Sequence, residues 1–248
     1  MPTYLGHPTT PRLPDELVDQ WRRVPSAVAA DHMQGRGHAD PAIRPLRPFD
    51  DAPRLVGIAV TAWCEPGDYG PVHHAIAAAS PRDVIVVAAG GRRDIAVIGE
   101  LLGGAARRKG IAGVVVDGGV RDVATVRGWP DFHMFSRWIT SRGPTTMERG
   151  SVNEPIVFGG VPVAPGDLVI GDDDGLVFVP YALTGSLLPS CLARVDAEAG
   201  WQASLDAGQT TVEVFAVPPA VRARRQGRQL EVFRRQMPFR APRYAPGC

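Results

Sequence analysis

Lysine is almost missing from this sequence of 248 residues: of its 27 basic residues, only Lys109 is not an arginine. Schiff-base chemistry needs a lysine whose amine is kept neutral by burial or by a cationic neighbour. Lys109 stands in Arg107-Arg108-Lys109-Gly110, at the end of an expected helix, where it reads as solvated. Cysteine is scarce as well. Cys64, Cys191 and Cys248 form no CxxC pair and cannot all pair within one chain, so they read as reduced thiols of a cytoplasmic protein. No apolar run reaches the ~18 residues of a membrane-spanning helix. Residues 1–7 lack the basic and then apolar pattern of a secretory leader. There is no repeat of solenoid period. The 44% hydrophobic and 21% charged residues are enough to build a substantial core, and the length suits one large domain or two small ones.

Charge is unevenly placed. The segment 218–248 holds Arg222, Arg224, Arg225, Arg228, Arg234, Arg235, Arg240 and Arg243 against a single acid, Glu231, for a net +7. The whole chain is net +1, so the first 217 residues carry −6. The expected organisation is one α/β domain over residues 1–217, opened by an arm and a helix, and a basic extension over 218–248. Residues 1–13, rich in Pro and Thr, read as the arm. A helix is predicted from about Glu16 to Ala30, capped by Asp15 and kinked or split at Pro25. Residues 34–54 are punctuated by Gly and Pro and read as loop. Predicted strands at 55–63, 83–88, 111–117 and 134–139 alternate with predicted helices at 72–79, 95–109 and 122–127, the pattern of parallel β-α-β units. Short strands at 156–158, 161–163, 167–170 and 176–180 then form a compact β-rich region, followed by a helix over 183–205 that stops by Gly208.

The most informative local pattern is Gly99-Glu100-Leu101-Leu102 followed by Asp117-Gly118-Gly119-Val120-Arg121-Asp122. A buried strand ending in Asp-Gly-Gly delivers Arg121 and Asp122 to the carboxyl edge of a sheet, where open α/β folds bind ligands. There a fixed cation would lie beside a metal-capable carboxylate, and the glycines allow backbone to approach a ligand closely. Taken alone, the same residues also suit a turn with Asp122 capping a helix and Arg121 on the surface.

With Asp40-Pro41-Ala42-Ile43-Arg44-Pro45-Leu46, Arg142-Gly143-Pro144 and the run from Pro165 to Gly175, these motifs resemble the family of the regulator of ribonuclease E activity A, over roughly residues 30–180. That family includes metal-dependent 4-hydroxy-4-methyl-2-oxoglutarate aldolases that also decarboxylate oxaloacetate. The resemblance implies a three-layered α/β/β sandwich with a partly parallel sheet, assembled as a homotrimer or homohexamer with sites between subunits. It implies that Asp122 binds a divalent metal, that Arg121 contacts the keto or enolate oxygen of a 2-oxo acid, that backbone amides of Gly99, Glu100, Leu101 and Leu102 hold its carboxylate, and that Glu100 contacts metal-bound water. Both retro-aldol cleavage and β-keto-acid decarboxylation leave pyruvate enolate, whose negative C2 oxygen must be stabilised. With no credible Schiff-base lysine, a Lewis-acid metal is expected, and an oxygen site with few protein ligands suits Mg²⁺ or Mn²⁺. Glu100 then suits a proton relay. The alternative is a non-catalytic, protein-binding regulator of ribonuclease activity, as one member of the family is.

Other candidates carry weaker signals. Asp172-Asp173-Asp174-Gly175 resembles part of a calcium loop but reads better as a turn between strands. His73 and His74 are adjacent and point apart on a helix. Asp31, His32 and His38 lie near loops that could line a cleft, and Gly90-Gly91-Arg92-Arg93 could receive an anionic group or be a solvated loop. Glu198, on the last long helix, is the candidate for a residue donated to a neighbouring subunit's site. The basic tail reads as an arm across a neighbouring subunit, through Val232, Phe233, Met237 and Phe239. Nucleic acid is a partner only if the tail recruits it.

Overall fold

The computed structural model describes residues 2–6, 11–50 and 52–220. The chain divides into two compact units, residues 1–200 and 201–248. The first is built on four parallel strands, β3 (Leu55–Cys64), β4 (Val84–Ala88), β6 (Gly113–Val120) and β7 (His133–Ile139), adjacent in that order. Their near-continuous apolar runs follow from burial on both faces. Alternate side chains serve opposite layers. Ile85, Val87, Val114 and Val116 pack with Val72, Ala75, Ala106 and Val126 of the helices α3 (Gly70–Ala78), α4 (Glu100–Arg108) and α5 (Val123–Arg127). Val84, Val86, Val115 and Phe135 face the other way, onto Phe158, Val163, Leu176 and Phe178.

Those last residues belong to a second β layer. It comprises the hairpin of β9 (Ile156–Phe158) with β10 (Val161–Val163), and the antiparallel pair β11 (Leu168–Asp172) and β12 (Gly175–Val179). β11 pairs antiparallel with the first half of β3, Gly171 opposite Leu55 and Leu168 opposite Ile58, so both layers grow from one strand. The result is the expected α/β/β sandwich. Beyond it, Trp21, Val24 and Val28 pack with Ile170, Val177 and Val179, and with Leu188 and Cys191 of the long helix α6 (Thr184–Asp206). In the second unit, α7 (Thr211–Val214) begins with a capping box between Thr210 and Glu213. Trp201 there meets Phe215 edge-on, with ring centroids 5.2 Å apart. Cys64 and Cys191 are free and buried, and burial pushes the Cys64 thiol up to about 12, which makes it unreactive. Among the described residues, no helix is long and apolar enough to cross a membrane. The tail arginines, from Arg222 onward, and the apolar residues expected to dock with them lie outside the described residues.

Several elements differ from the sequence expectation. The predicted helix over 16–30 is two helices, α1 (Asp15–Trp21) and α2 (Ser26–His32), split at Pro25. Asp15 is the first helical residue of α1 rather than its cap, and makes no capping bond. The start of α2 is capped from a distance. The Asp172 carboxylate accepts from the Ser26 N–H at 2.8 Å and from the Ser26 hydroxyl at 2.5 Å. Asp173 accepts from the Phe49 N–H at 3.1 Å. The Asp-Asp-Asp-Gly run is therefore the turn joining β11 to β12, and two of its acids serve backbone amides. The predicted helix over 95–109 is a strand, β5 (Ala96–Ile98), followed by α4. Ala96 pairs with Gly119 and Ile98 with Val120 of β6, and this pairing wins over helix propensity. Inside the expected arm, β1 (Tyr4–Leu5) pairs with β8 (Gly150–Val152), which in turn edges β3. A further short strand, β2 (Arg44–Pro45), edges β7.

Candidate active site

The strand β5 and the end of β6 run in parallel, so Gly99 leaves one just where Arg121 and Asp122 leave the other. The Arg121 N–H donates to the Ile98 carbonyl at 3.1 Å. Asp122 then takes the left-handed conformation, with φ +56°. That region is uncommon for a residue with a side chain, least so for Asp and Asn. Although Asp122 stands at the cap position of α5, its side chain makes no capping bond. It turns instead to the neighbouring helix. Oδ2 accepts from the Glu100 N–H at 3.1 Å and lies 3.6 Å from Arg121 Nε. The cap reading of Asp122 is thus replaced by a carboxylate aimed between two elements.

Two glycines make room for this pair. A Cβ on Gly99 would collide with the Asp122 carboxylate and stand 2.8 Å from Arg121 Cγ. One on Gly143 would stand 2.5 Å from Arg121 Nη1. The chain around Gly143 is itself fixed, since the Arg142 carbonyl accepts from the Ala96 N–H at 2.8 Å. Sequence reasoning quoted Gly143 only within a matching tripeptide; its contact with the Arg121 side chain has no signal in a single sequence. Gly143→Ala should therefore displace the guanidinium while leaving Asp122 in place. The expected outcome is a reduced kcat with unchanged Mn²⁺ affinity, read by steady-state kinetics and calorimetry; a wild-type kcat would refute the packing argument.

The helix α4 begins at Glu100, which brings its first amides to this edge. The Gly103 N–H bonds to the Gly99 carbonyl, whereas those of Leu101 and Leu102 have no acceptor among the described residues. Unpartnered N–H groups and the helix dipole suit this end to an anion. Glu100 is exposed, and Leu101 leaves 80% of its surface in solvent. Arg121 and Asp122, with 42% and 41% side-chain exposure, are accessible as well. Gly99, Glu100, Leu101, Leu102, Arg121 and Asp122 thus occupy one edge of the sheet.

The other candidates lie in different settings. Lys109 donates to the carbonyls of Ile76 and Ala77 at 2.8 and 2.5 Å, closing the end of α3. Asp94 draws in Arg92 and Arg142, while Arg93 lies over Trp138 at 5.5 Å. His73, exposed at its outer edge, meets Tyr69 edge-on at 5.0 Å, and partial desolvation against its neighbours, followed by the charge of His74, lowers its pKa. His32 bonds through Nδ1 to the Val28 carbonyl at 2.9 Å, and His38 bridges to Val177; neither contact leads to Arg121. Asp31 is exposed at the end of α2. Glu198 pairs with Arg194 at 2.7 Å, one turn away on α6. Sequence reasoning missed a buttress behind the edge. Arg137 donates to Asp117 and to Asp40, each at 2.5 Å, and the second Asp117 oxygen accepts from the Gly159 N–H at 2.8 Å. These bonds tie the strand end to the 40s loop and to the β9–β10 hairpin.

The RraA-like family, described as Aldolase/RraA, matches residues 15–178. This chain belongs to that family. The span takes in both β layers and every residue of the edge just described, and stops before α6 and Glu198. A "Putative 4-hydroxy-4-methyl-2-oxoglutarate aldolase" of Halalkalibacterium halodurans is 37% identical over 165 residues, 66% of this chain and 77% of that protein. The crystal structure of a Pseudomonas syringae pv. tomato protein superposes with a TM-score of 0.74 at 27% identity, covering 84% of this chain and 96% of the other. Streptomyces coelicolor RraAS2, described as an unusual member of the RNase ES inhibitor RraA family, superposes with a TM-score of 0.68 at 28% identity. That match covers 78% of this chain and all of RraAS2.

Among the described residues, no three His, Cys, Asp or Glu side chains converge as a metal cage. Mg²⁺ and Mn²⁺ need no such cage, because they keep several waters and use one or two carboxylates. The accessible Asp122 carboxylate, turned away from its own helix and with Oδ1 unengaged, fits such a site in this RraA-like chain.

Proposed function

We propose that this protein is a divalent-metal-dependent carbon–carbon lyase acting on a short 2-oxo acid. The reactions in view are retro-aldol cleavage of a 4-hydroxy-2-oxo acid to pyruvate and decarboxylation of oxaloacetate. The observation that carries the reading is the Asp122 carboxylate, held in a left-handed conformation beside Arg121 and the open end of α4. The family relationship and the aldolase relative support it. The engagement of the sole lysine with α3 supports a route without a Schiff base.

Each residue has a defined task. The amides of Leu101 and Leu102 receive the substrate carboxylate. Arg121 donates to the C2 oxygen, where charge gathers as the C3–C4 bond breaks and its electron pair moves toward the carbonyl. Glu100 relays the proton that leaves the C4 hydroxyl or arrives at C3. Asp122, with water, would hold Mg²⁺ or Mn²⁺, which supplies Lewis-acid stabilisation of the enolate charge.

The deciding assay is pyruvate release from oxaloacetate and from a panel of 4-hydroxy-2-oxo acids. Turnover should require Mg²⁺ or Mn²⁺ and disappear in EDTA. Full activity in EDTA, or borohydride trapping of pyruvate on Lys109, would overturn the mechanism. No release with either metal would leave the second reading, a protein-binding regulator of ribonuclease activity. The full coverage of RraAS2 by this chain favours that reading over other non-catalytic roles.

A further inference from the structure

We propose that the opposite, amino-terminal edge of the parallel sheet carries a binding site for a small phosphorylated anion, lined by Arg22, Arg54, Arg82, Arg107 and His133. This inference does not rest on the lyase reading. A cavity of about 300 Å³ opens there, where β3 and β7 begin and the chain enters β6. From this edge to Arg121 is the length of β6, eight residues and roughly 25 Å at ~3.3 Å per residue.

The four arginines are half-buried, with side-chain exposures of 32%, 36%, 37% and 35% in the order given. Each is anchored along part of its donor set. Arg22 uses Nε toward Asp19 at 3.2 Å and Nη2 toward the Val56 carbonyl at 3.5 Å. Arg54 uses Nε toward Asp172 at 3.5 Å and Nη1 toward the Arg22 carbonyl at 3.4 Å. Arg82 is held by Asp15 and Asp19, and Arg107 uses Nε toward Asp131 at 2.7 Å. A guanidinium carries five N–H donors. Nη1 of Arg22, Nη2 of Arg54 and both terminal nitrogens of Arg107 make no hydrogen bond among the described residues.

Among the described residues, Asp131 is the one carboxylate on the cavity lining, while Asp15, Asp19 and Asp172 pair with the arginines from beside it. His133, also on the lining, stacks on Phe49 with ring centroids 4.3 Å apart. Burial, followed by the charges of Arg47 and Arg22, pushes its pKa down to about 4. Arg47 bonds through Nη2 to the Pro130 carbonyl at 2.7 Å, while its buried Nε has no partner. A phosphoryl group fits this setting, because its oxygens can take forked donors from several guanidinium groups at once. The volume admits a diphosphate or a small phosphate ester.

Inorganic pyrophosphate is the probe, added to the full chain at constant ionic strength. Calorimetry should give saturable one-to-one binding, tighter than that of sulfate. Arg22→Gln and Arg107→Gln should each weaken it by roughly tenfold or more, the loss expected for a charge-assisted bond. In NMR titrations the His133 ring, assigned through His133→Gln, should show a higher pKa when pyrophosphate is bound. If Arg22→Gln fails to fold, Arg107→Gln decides, since its partner Asp131 is 61% exposed. Non-saturable binding, equal affinity for sulfate, affinity unchanged in the folded variants, or an unmoved His133 would each overturn the site.

Discussion

Arg121→Lys should leave Mn²⁺ affinity intact and lower kcat on oxaloacetate by about 10²–10³, the usual cost of removing one well-placed donor to a developing oxyanion. Charge is conserved in this substitution, so any loss reports geometry. The guanidinium is planar and permanently charged, with Nη1 seated against Gly143 while the side chain's Cγ passes Gly99, and the Gly143 contact fixes the direction of its donors. A lysine ammonium is a rotatable point charge on a flexible four-carbon stem; it keeps the Cγ contact at Gly99 and loses the guanidinium contact at Gly143. The loss should fall on kcat, since the interaction strengthens as charge moves to the C2 oxygen. Turnover at the wild-type rate would remove Arg121 from the reacting atoms.

Asp122→Ala should abolish turnover and weaken Mn²⁺ binding below detection in a calorimetric titration, with little change in far-UV circular dichroism. The carboxylate is exposed and caps no turn of its own helix, so its removal does not unravel α5. Asp122→Asn is the informative companion. Asn tolerates the left-handed conformation and can still accept from the Glu100 N–H, so it removes the charge and little else. Both variants should be inactive. Metal-dependent activity in Asp122→Asn would show that position, and not charge, is what this residue contributes.

The parallel core was legible because buried strands are continuous apolar runs bounded by glycine and proline, as in residues 83–88 and 111–117. The turn chemistry of Asp172 to Gly175 was legible for a similar reason. The misreadings share a cause. Residues 95–98 look helical because the apolar pattern continues into Leu101 and Leu102, and only pairing with β6 makes them a strand. Gly150–Val152 is too short for a period to show, and its strand character comes from the exposed edge of β3. At the site, the types and order of Glu100, Arg121 and Asp122 could be read in the chain. That Asp122 turns to the neighbouring helix, and that Gly143 seats the arginine, depend on atoms brought together from distant positions. Arg137 was invisible for the same reason, because nothing in the sequence ties it to Asp117 and Asp40.

On the lyase reading, the left-handed turn at Asp122 also sets how readily this fold could lose the proposed chemistry. Holding a side chain there costs about 1 kcal/mol or more, which glycine would not incur. The hydrogen bond lost from the Glu100 amide is worth about as much. A single change to glycine would thus leave stability almost level while emptying the edge of its carboxylate. Mutational drift would meet no folding barrier on that path. On the lyase reading proposed above, a catalyst and a pure binding protein stand one nearly neutral substitution apart in this architecture.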